Sequence, residues 1–514
     1  MRREIGPFLP LAVRLGLTLA PFLASGALAA TFTVANLNDS GPGSLRQAAL
    51  DANASPGADD VVFSPGLTGT IMLTSGRILI AGSLTVHGPG AGALTVSGND
   101  QSPIFEIINP EIANPALSPV SVTLSGLTLT HGFAAATLFG GAIFARDVSL
   151  TILDSVISNS VAGFVGAPVP GSGGNIFFLS FDRDTLRIAN STLTGGTTVE
   201  LGSFGGNLCV FGGRLILERS TLSGGFAYTG GGLYIQPNLD STIFASTISG
   251  NQGFFGGGIY SVGGGIYPFS GASLTIDSST LAGNVAGLPA SDGGAGGGLY
   301  VEGENVQIVN STISGNHLNG DGGGIAFPGG PGSSLLLRLT TVSSNTASGR
   351  GGSLLIGTSD EVELDHSIVA NGAPEDLAAS DPNGPPVTVA ANYSLIENPG
   401  DVVLVGAHNL VGADPLLGPL AYNGGPTLTH LLLPGSPAID AGDPAIPSPP
   451  PADQRGLARI AGAAVDLGSV ETRQALIAVP VLSPLGLALL AALLLAAGLW
   501  IQTGRRTRQG HPGR

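Results

Sequence analysis

Aliphatic residues recur through the middle of this chain with a long period near 30 and, inside each period, a short spacing of two. With the first serine of Ser-Thr-Ile-Ser-Gly-Asn as anchor, the repeats fall at Leu127, Ser155, Ser191, Ser220, Ser246, Ser279, Ser311, Thr340 and Ser367, spaced 28, 36, 29, 26, 33, 32, 29 and 27 residues apart. The position two after the anchor is aliphatic nine times in nine, from Leu129 and Ile157 to Val369, and so is the position three before it, from Leu124 to Leu364. Five before it the count is eight in nine, the exception being Ser241. Offsets of -5 and -3 put two side chains on one face of a strand. A third segment is a glycine box followed by an apolar pair, as in Gly140-Gly141-Ala142-Ile143-Phe144 and Gly205-Gly206-Asn207-Leu208-Cys209. Three short strands per repeat, glycine corners and no helical period predict an all-β chain, a right-handed parallel β-helix solenoid of three strands per rung.

Five residues after the anchor stand Asn251, Asn284, Asn316, Asn345 and Gly372, preceded by Gly132, Ser160, Gly196 and Gly225. Gly and Asn tolerate a left-handed backbone, so this position is expected to be the left-handed corner, with stacked asparagines hydrogen-bonding along the axis. Nine rungs at ~4.8 Å make a rod of ~43 Å. Thr70–Leu73, Ser83–Val86 and Ala93–Val96 are candidates for further coils. Ser44-Leu45-Arg46-Gln47 is a capping-box pattern opening a helix through Ala52, with Leu45, Ala48, Ala49 and Ala52 on its apolar side, and residues 31–66 read as an N-terminal cap. The β-helix is expected over 67–408 and a C-terminal module over 409–473.

The two ends carry different signals. Arg2, Arg3 and Arg14, the apolar run Leu15–Ala24 and the cleavage region Ala27, Ala29, Ala30 read as a signal peptide over 1–30, which makes the export machinery an expected partner. Residues 474–481 form a linker. Leu482–Ile501 is 20 residues without a charge, long enough for a C-terminal transmembrane helix, and Arg505, Arg506 and Arg508 in the tail 502–514 would stay cytoplasmic.

Composition narrows the function classes. The 19 basic residues are all arginine and the net charge is -16, which argues against a nucleic-acid groove. Without lysine a phosphate-binding Walker loop is impossible. Cys209 is the single cysteine; it takes the repeat position of Phe144, Phe177 and Tyr234 and reads as a core residue. The row two before the anchor never places acids on two neighbouring rungs, and Asp59-Asp60 reads as a solvated surface pair. Asp292 and Asp321 sit in one-off glycine turns rather than tandem calcium repeats, and the histidines show no metal spacing. No catalytic, cofactor or metal site is expected. Asp440, Asp443, Asp453, Arg455 and Asp466 read as a structural network closing the last coil rather than a binding cluster. His366 reads as an outward rung residue, and Phe254 and Phe255 as candidates for exposure.

The Gly-Gly-Ala-Ile and Ser-Thr-Ile-Ser-Gly-Asn units resemble repeats of polymorphic outer-membrane proteins and other exported right-handed β-helix proteins. Asp414-Pro415-Leu416-Leu417, Asn423-Gly424-Gly425-Pro426-Thr427, Gly435–Asp443, Asp453-Gln454-Arg455-Gly456 and Val465-Asp466-Leu467-Gly468 resemble a choice-of-anchor Q domain. Val479, Pro480, Val481, Leu482 and Ser483 with the following helix and arginines resemble an IPTL-CTERM sorting signal, with Val479 and Val481 in place of its Ile and Thr. These resemblances imply an envelope-anchored or surface-sorted, adhesin-like interaction protein, a membrane sorting peptidase as partner and an extracellular ligand. The alternative on the same fold is a protein that binds or degrades polysaccharide.

Overall fold

The computed structural model describes residues 29–111, 119–135, 139–164, 170–181, 183–262, 272–287, 294–303, 305–330, 332–358, 361–473 and 494. The chain winds into a right-handed parallel β-helix whose three long sheets hold, among the described residues, 14, 11 and 13 strands, all paired in parallel. Each rung passes through three sheets in turn. The flank sheet runs from Thr31–Val34 to Val403–Val405, the anchor sheet from Gly69–Met72 to Leu410–Val411, and the box sheet from Ile78–Ile80 to Leu377–Ala379. Fourteen strands at ~4.8 Å span roughly 60 Å. The rod is longer than the nine anchors predict because coils without the serine motif are added at both ends. Of the three N-terminal candidates, Leu84–His87 lies in the flank sheet, while Gly69–Met72 and Leu94–Ser97 are successive anchor-sheet strands.

Register stacks like on like. Leu150 pairs with Leu186, which pairs with Leu215, and Ile157 stands in line with Leu193, Leu222 and Ile248. These residues point inward and are fully buried, each worth roughly 1.5–3 kcal/mol of apolar transfer. Ser241, the break in the -5 row, is buried as well; its hydroxyl accepts from Leu215 N at 3.0 Å and donates to Leu239 O at 3.1 Å. The helix Leu45–Ala54 forms with Ser44 as N-cap, accepting from Gln47 N, and buries Leu45, Ala48, Ala49 and Ala52. Of the expected surface pair, Asp60 is exposed beside His87, but Asp59 is buried, because it opens a strand with its side chain turned inward.

The corners differ from the expectation in one respect. Left-handed backbone occurs at +4 and -1, not at +5. The +4 row holds His131, Asn159, Gly195, Gly224, Gly250, Gly283, Gly315, Ser344 and Asn371, and the -1 row holds residues as unlike as Arg219 (φ 44°), Leu339 (φ 50°) and His366 (φ 54°). A left-handed L-residue costs about 1–2 kcal/mol, and the anchor hydroxyl offsets it. Ser155 Oγ donates to Leu153 O at 2.7 Å across the turn and accepts from Leu127 N of the neighbouring rung at 3.3 Å. The same bridge recurs at Ser191, Ser220, Ser246 and Ser279.

The +5 asparagines instead point inward, fully buried, and form a continuous carboxamide ladder. Asn251 Nδ2 donates to Asn284 Oδ1 at 3.0 Å, Asn284 to Asn316 at 2.9 Å, and Asn316 to Asn345 at 2.9 Å. Each also donates to a main-chain carbonyl of the preceding rung, as Asn284 does to Ile248 O at 3.0 Å. Gly372 ends the row; its N–H donates to Asp376 Oδ1 at 2.7 Å.

Candidate functional site

Residues 413–472 fold back along the outer face of the anchor sheet as a lateral strap. They hold short antiparallel bridges (Leu417 with Leu432, Ala421 with Thr429, Ala452 with Ala458) and carry the Asp–Arg network. Asp453 pairs with Arg455 at 2.7 Å, and Arg455 Nη2 donates to Glu471 O at 2.6 Å. The network therefore lies on the flank of the rod rather than at its end. Its carboxylates are engaged by main-chain amides: Asp440 accepts from Ala463 N, Asp466 from Asp440 N and Thr472 N, and Glu471 from Ala461 N and Asp466 N.

The strap binds the rod through two outward columns of hydroxyls, one and three residues after each anchor. Thr280 Oγ1 donates to Leu428 O at 2.6 Å. The Gln454 carboxamide spans two rungs, Oε1 accepting from Thr312 at 2.6 Å and Nε2 donating to Thr280 Oγ1 at 3.0 Å. Thr341 Oγ1 accepts from Ser469 N at 3.0 Å. His430 Nδ1 faces Gly418 O at 2.6 Å and must donate to it, so Nε2 accepts from the Ser314 hydroxyl at 2.8 Å. Burial lowers the His430 pKa and keeps the ring neutral. A hydroxyl–imidazole pair is the arrangement that activates a nucleophile, but Ser314 (2% exposed) and His430 (5%) are buried between strap and rod and act as a pin. Arg459 is buried against Gly468 O, Ser469 O and Asn310 Oδ1, and burial brings its pKa down to about 10. His366 does point outward, yet it is covered: Nε2 accepts from Asp443 N at 3.0 Å, so Nδ1 donates to Asp365 at 2.6 Å.

The same columns continue bare on the earlier rungs. Thr128, Thr130, Val156, Thr192, Thr194, Thr221, Ser223, Thr247 and Ser249 are half-buried, whereas Thr280, Thr312, Ser314, Thr341 and Ser343 are buried; the exception on the earlier rungs is Ser158, which is buried and donates to Thr130 Oγ1 at 3.0 Å. Among the described residues the hydroxyls of Thr192, Thr221, Thr247 and Ser249 have no hydrogen-bond partner in the chain, while Ser223 donates to Thr194 at 3.1 Å. Where the bare and covered parts meet, a groove of about 600 Å³ runs from Ser249 past Gly283 and Ser314 to Asn371, walled by Leu417, Pro419, Leu428 and His430.

The outer face of the box sheet carries an aromatic row. Cys209 lies fully buried between Phe177 and Tyr234, in the row the repeat predicts, and burial raises its thiol pKa. Tyr234, Tyr260 and Tyr300 stack face to face at 5.6 and 4.6 Å. The hydroxyls of Tyr260 and Tyr300 both lie 3.5 Å from Glu302 Oε2. Phe254 and Phe255 are half-buried in this cluster, Phe254 stacking on Tyr228 at 4.8 Å.

Of the residues singled out in the sequence, Asn251, Asn284, Asn316, Asn345 and Gly372 gather in the interior. Ala30 lies beside Asp59, and Ala29 is exposed. Ala27, the motif Val479, Pro480, Val481, Leu482, Ser483, Asp292 and the apolar segment Leu482–Ile501, apart from Leu494, lie outside the described residues. Among the described residues no helix is long and apolar enough to cross a membrane, and no group of three or more His, Cys, Asp or Glu side chains could hold a metal ion. Gln454, His430 and Arg459 carry the strap, a role that the sequence does not reveal although Gln454 stands inside one of the quoted motifs. No protein-family model matches the chain, and no curated protein matches it.

Proposed function

We propose that this chain is an exported, envelope-associated rod that works by surface contact, with the bare hydroxyl columns from Thr128 to Ser249 as its contact face. The observation that carries this reading is the contrast within one sheet: the same columns are covered by the strap on later rungs and open on earlier ones. The strap shows which chemistry the columns accept, namely carbonyls, amides and a carboxamide arrayed along the axis. On this reading the C-terminal apolar segment and its arginines hold or sort the chain at the membrane. Fractionation of expressing cells with intact-mass analysis tests it. The expected product lacks the leader and is found in the envelope or released; a chain keeping residues 1–30 in the cytoplasm would sink the reading.

A second reading, polysaccharide binding, is favoured by Tyr260, Tyr300 and Glu302, since phenol hydroxyls beside a carboxylate are polar groups that bind sugar hydroxyls. Titration with neutral oligosaccharides separates the two: Glu302→Gln abolishes binding under this reading, and Thr221→Val with Thr247→Val does so if the hydroxyl face is responsible.

A further inference from the structure

Asp59 is 2% exposed, and no arginine or histidine pairs with it among the described residues. Its Oδ1 accepts from Ala30 N at 2.7 Å and, more weakly, from Ser55 Oγ at 3.4 Å. Its Oδ2 is buried with no hydrogen-bond partner among the described residues. A buried carboxylate with an orphaned oxygen and no counter-ion is a costly arrangement. One amide N–H satisfies half of it; a group with three donors and a positive charge at the same nitrogen would satisfy all of it.

We propose that the chain is cut between Ala29 and Ala30, and that the new α-ammonium of Ala30 forms a buried ion pair with Asp59 that locks the first coil. Water adds across the Ala29–Ala30 amide in the site of a leader peptidase. The Ala29 carbonyl leaves as a carboxylate, and the Ala30 nitrogen takes up protons to become the ammonium. Ala29 is exposed and Ala30 half-buried, so the bond stands at the surface while the new terminus points inward. Ala30 O already accepts from Asp60 N at 2.8 Å, which holds the nitrogen in place before and after cleavage. The pair would tie Thr31–Val34, the outermost strand of the flank sheet, to the next strand Asp59–Phe63. Cutting one residue earlier or later would leave the ammonium a peptide unit away from the carboxylate.

This inference rests on the export reading, and the test separates the two. The full chain is expressed in its export-competent form, and the purified product is sequenced from its N-terminus. A start at Ala30 is expected. A start at another residue near the leader overturns this inference but leaves export standing, and an intact Met1 overturns both. Because the chain has no lysine, the α-amine is its one primary amine, and an amine-reactive acetylating reagent reads its environment directly. Labelling at least tenfold slower in the folded protein than in urea is expected; equal rates overturn the ion pair. In Asp59→Asn, amide exchange over residues 31–34 should speed up at least tenfold in the processed protein and change little in a version carrying one extra residue before Ala30. The same change in both forms overturns the pairing.

Discussion

Gly232 and Asn251 share one space: a Cβ on Gly232 would stand 2.8 Å from the Asn251 carboxamide nitrogen. The relation switches sides once along the rod. Where the corner is Gly196 or Gly225, the carboxamide comes from the glycine box instead, from Asn175 or Asn207, and the missing corner Cβ would stand 2.8 or 2.6 Å from its nitrogen. Where the corner is Asn284, Asn316 or Asn345, the box position is Gly258, Gly298 or Gly324. Wherever the box of one of these rungs meets the corner of the next, one carboxamide joins the ladder from one side or the other, and two would not fit.

Removing a carboxamide should therefore be costly, and moving it tolerable. Asn251→Gly strips Asn207 Nδ2 and Gly225 N of their acceptor and Leu222 O of a donor. The expected loss is about 3 kcal/mol, since buried orphans cost ~1–3 kcal/mol each. Gly232→Asn together with Asn251→Gly should recover more than half of it. Urea unfolding midpoints of the single and double variants measure both; no recovery would mean that the two sides of the corner are not equivalent.

The strap should depend on Gln454. Its amide nitrogen lies 3.0 Å from Thr427 Oγ1 and 3.2 Å from Leu428 O in addition to its rod contacts. Gln454→Ala leaves Thr280 and Thr312 buried with fewer partners and should weaken docking by about 2 kcal/mol. Limited proteolysis is the readout: cleavage within 413–472 accelerates, while the rungs before Ser249 stay protected. Uniform loss of protection would show that strap and rod unfold as one unit.

Acidity should stabilise the C-terminal half. Burial raises the Asp376 pKa to about 6 and the Glu471 pKa to about 7, against the amide donors that favour their charged forms. A carboxyl whose folded pKa is raised binds its proton more readily in the folded state. Its contribution is full below the unfolded pKa near 4 and is lost as pH rises through 6 to 7. Unfolding free energy should accordingly fall by about 2–4 kcal/mol between pH 5 and pH 8. Asp376→Asn should flatten the part of the slope between about pH 4 and pH 6; a profile unchanged by that substitution would refute the assignment.

Much of the rod was legible because its contacts are periodic. Strand spacing, the aliphatic faces, the helix after Ser44, the position of Cys209 and the asparagine ladder all follow from side chains that meet their own counterparts one rung away. The pattern alone puts the left-handed position one residue late, since Asn and Gly occur at both +4 and +5 and only the backbone shows which of them turns. The -1 position could not be read at all: Arg219 and Leu339 are left-handed because the anchor hydroxyl bridges the turn, not because of their own preference.

The solenoid follows from the repeat pattern alone, since each rung needs only its neighbour to bury its apolar face. The tertiary structure alone decided where the strap lies, which hydroxyls remain open and that Ala30 meets a buried Asp59. Those contacts join residues far apart without a repeat, as Gln454 joins Ser279 across 175 positions, and a single non-periodic contact leaves no trace in the pattern of hydrophobic and polar residues.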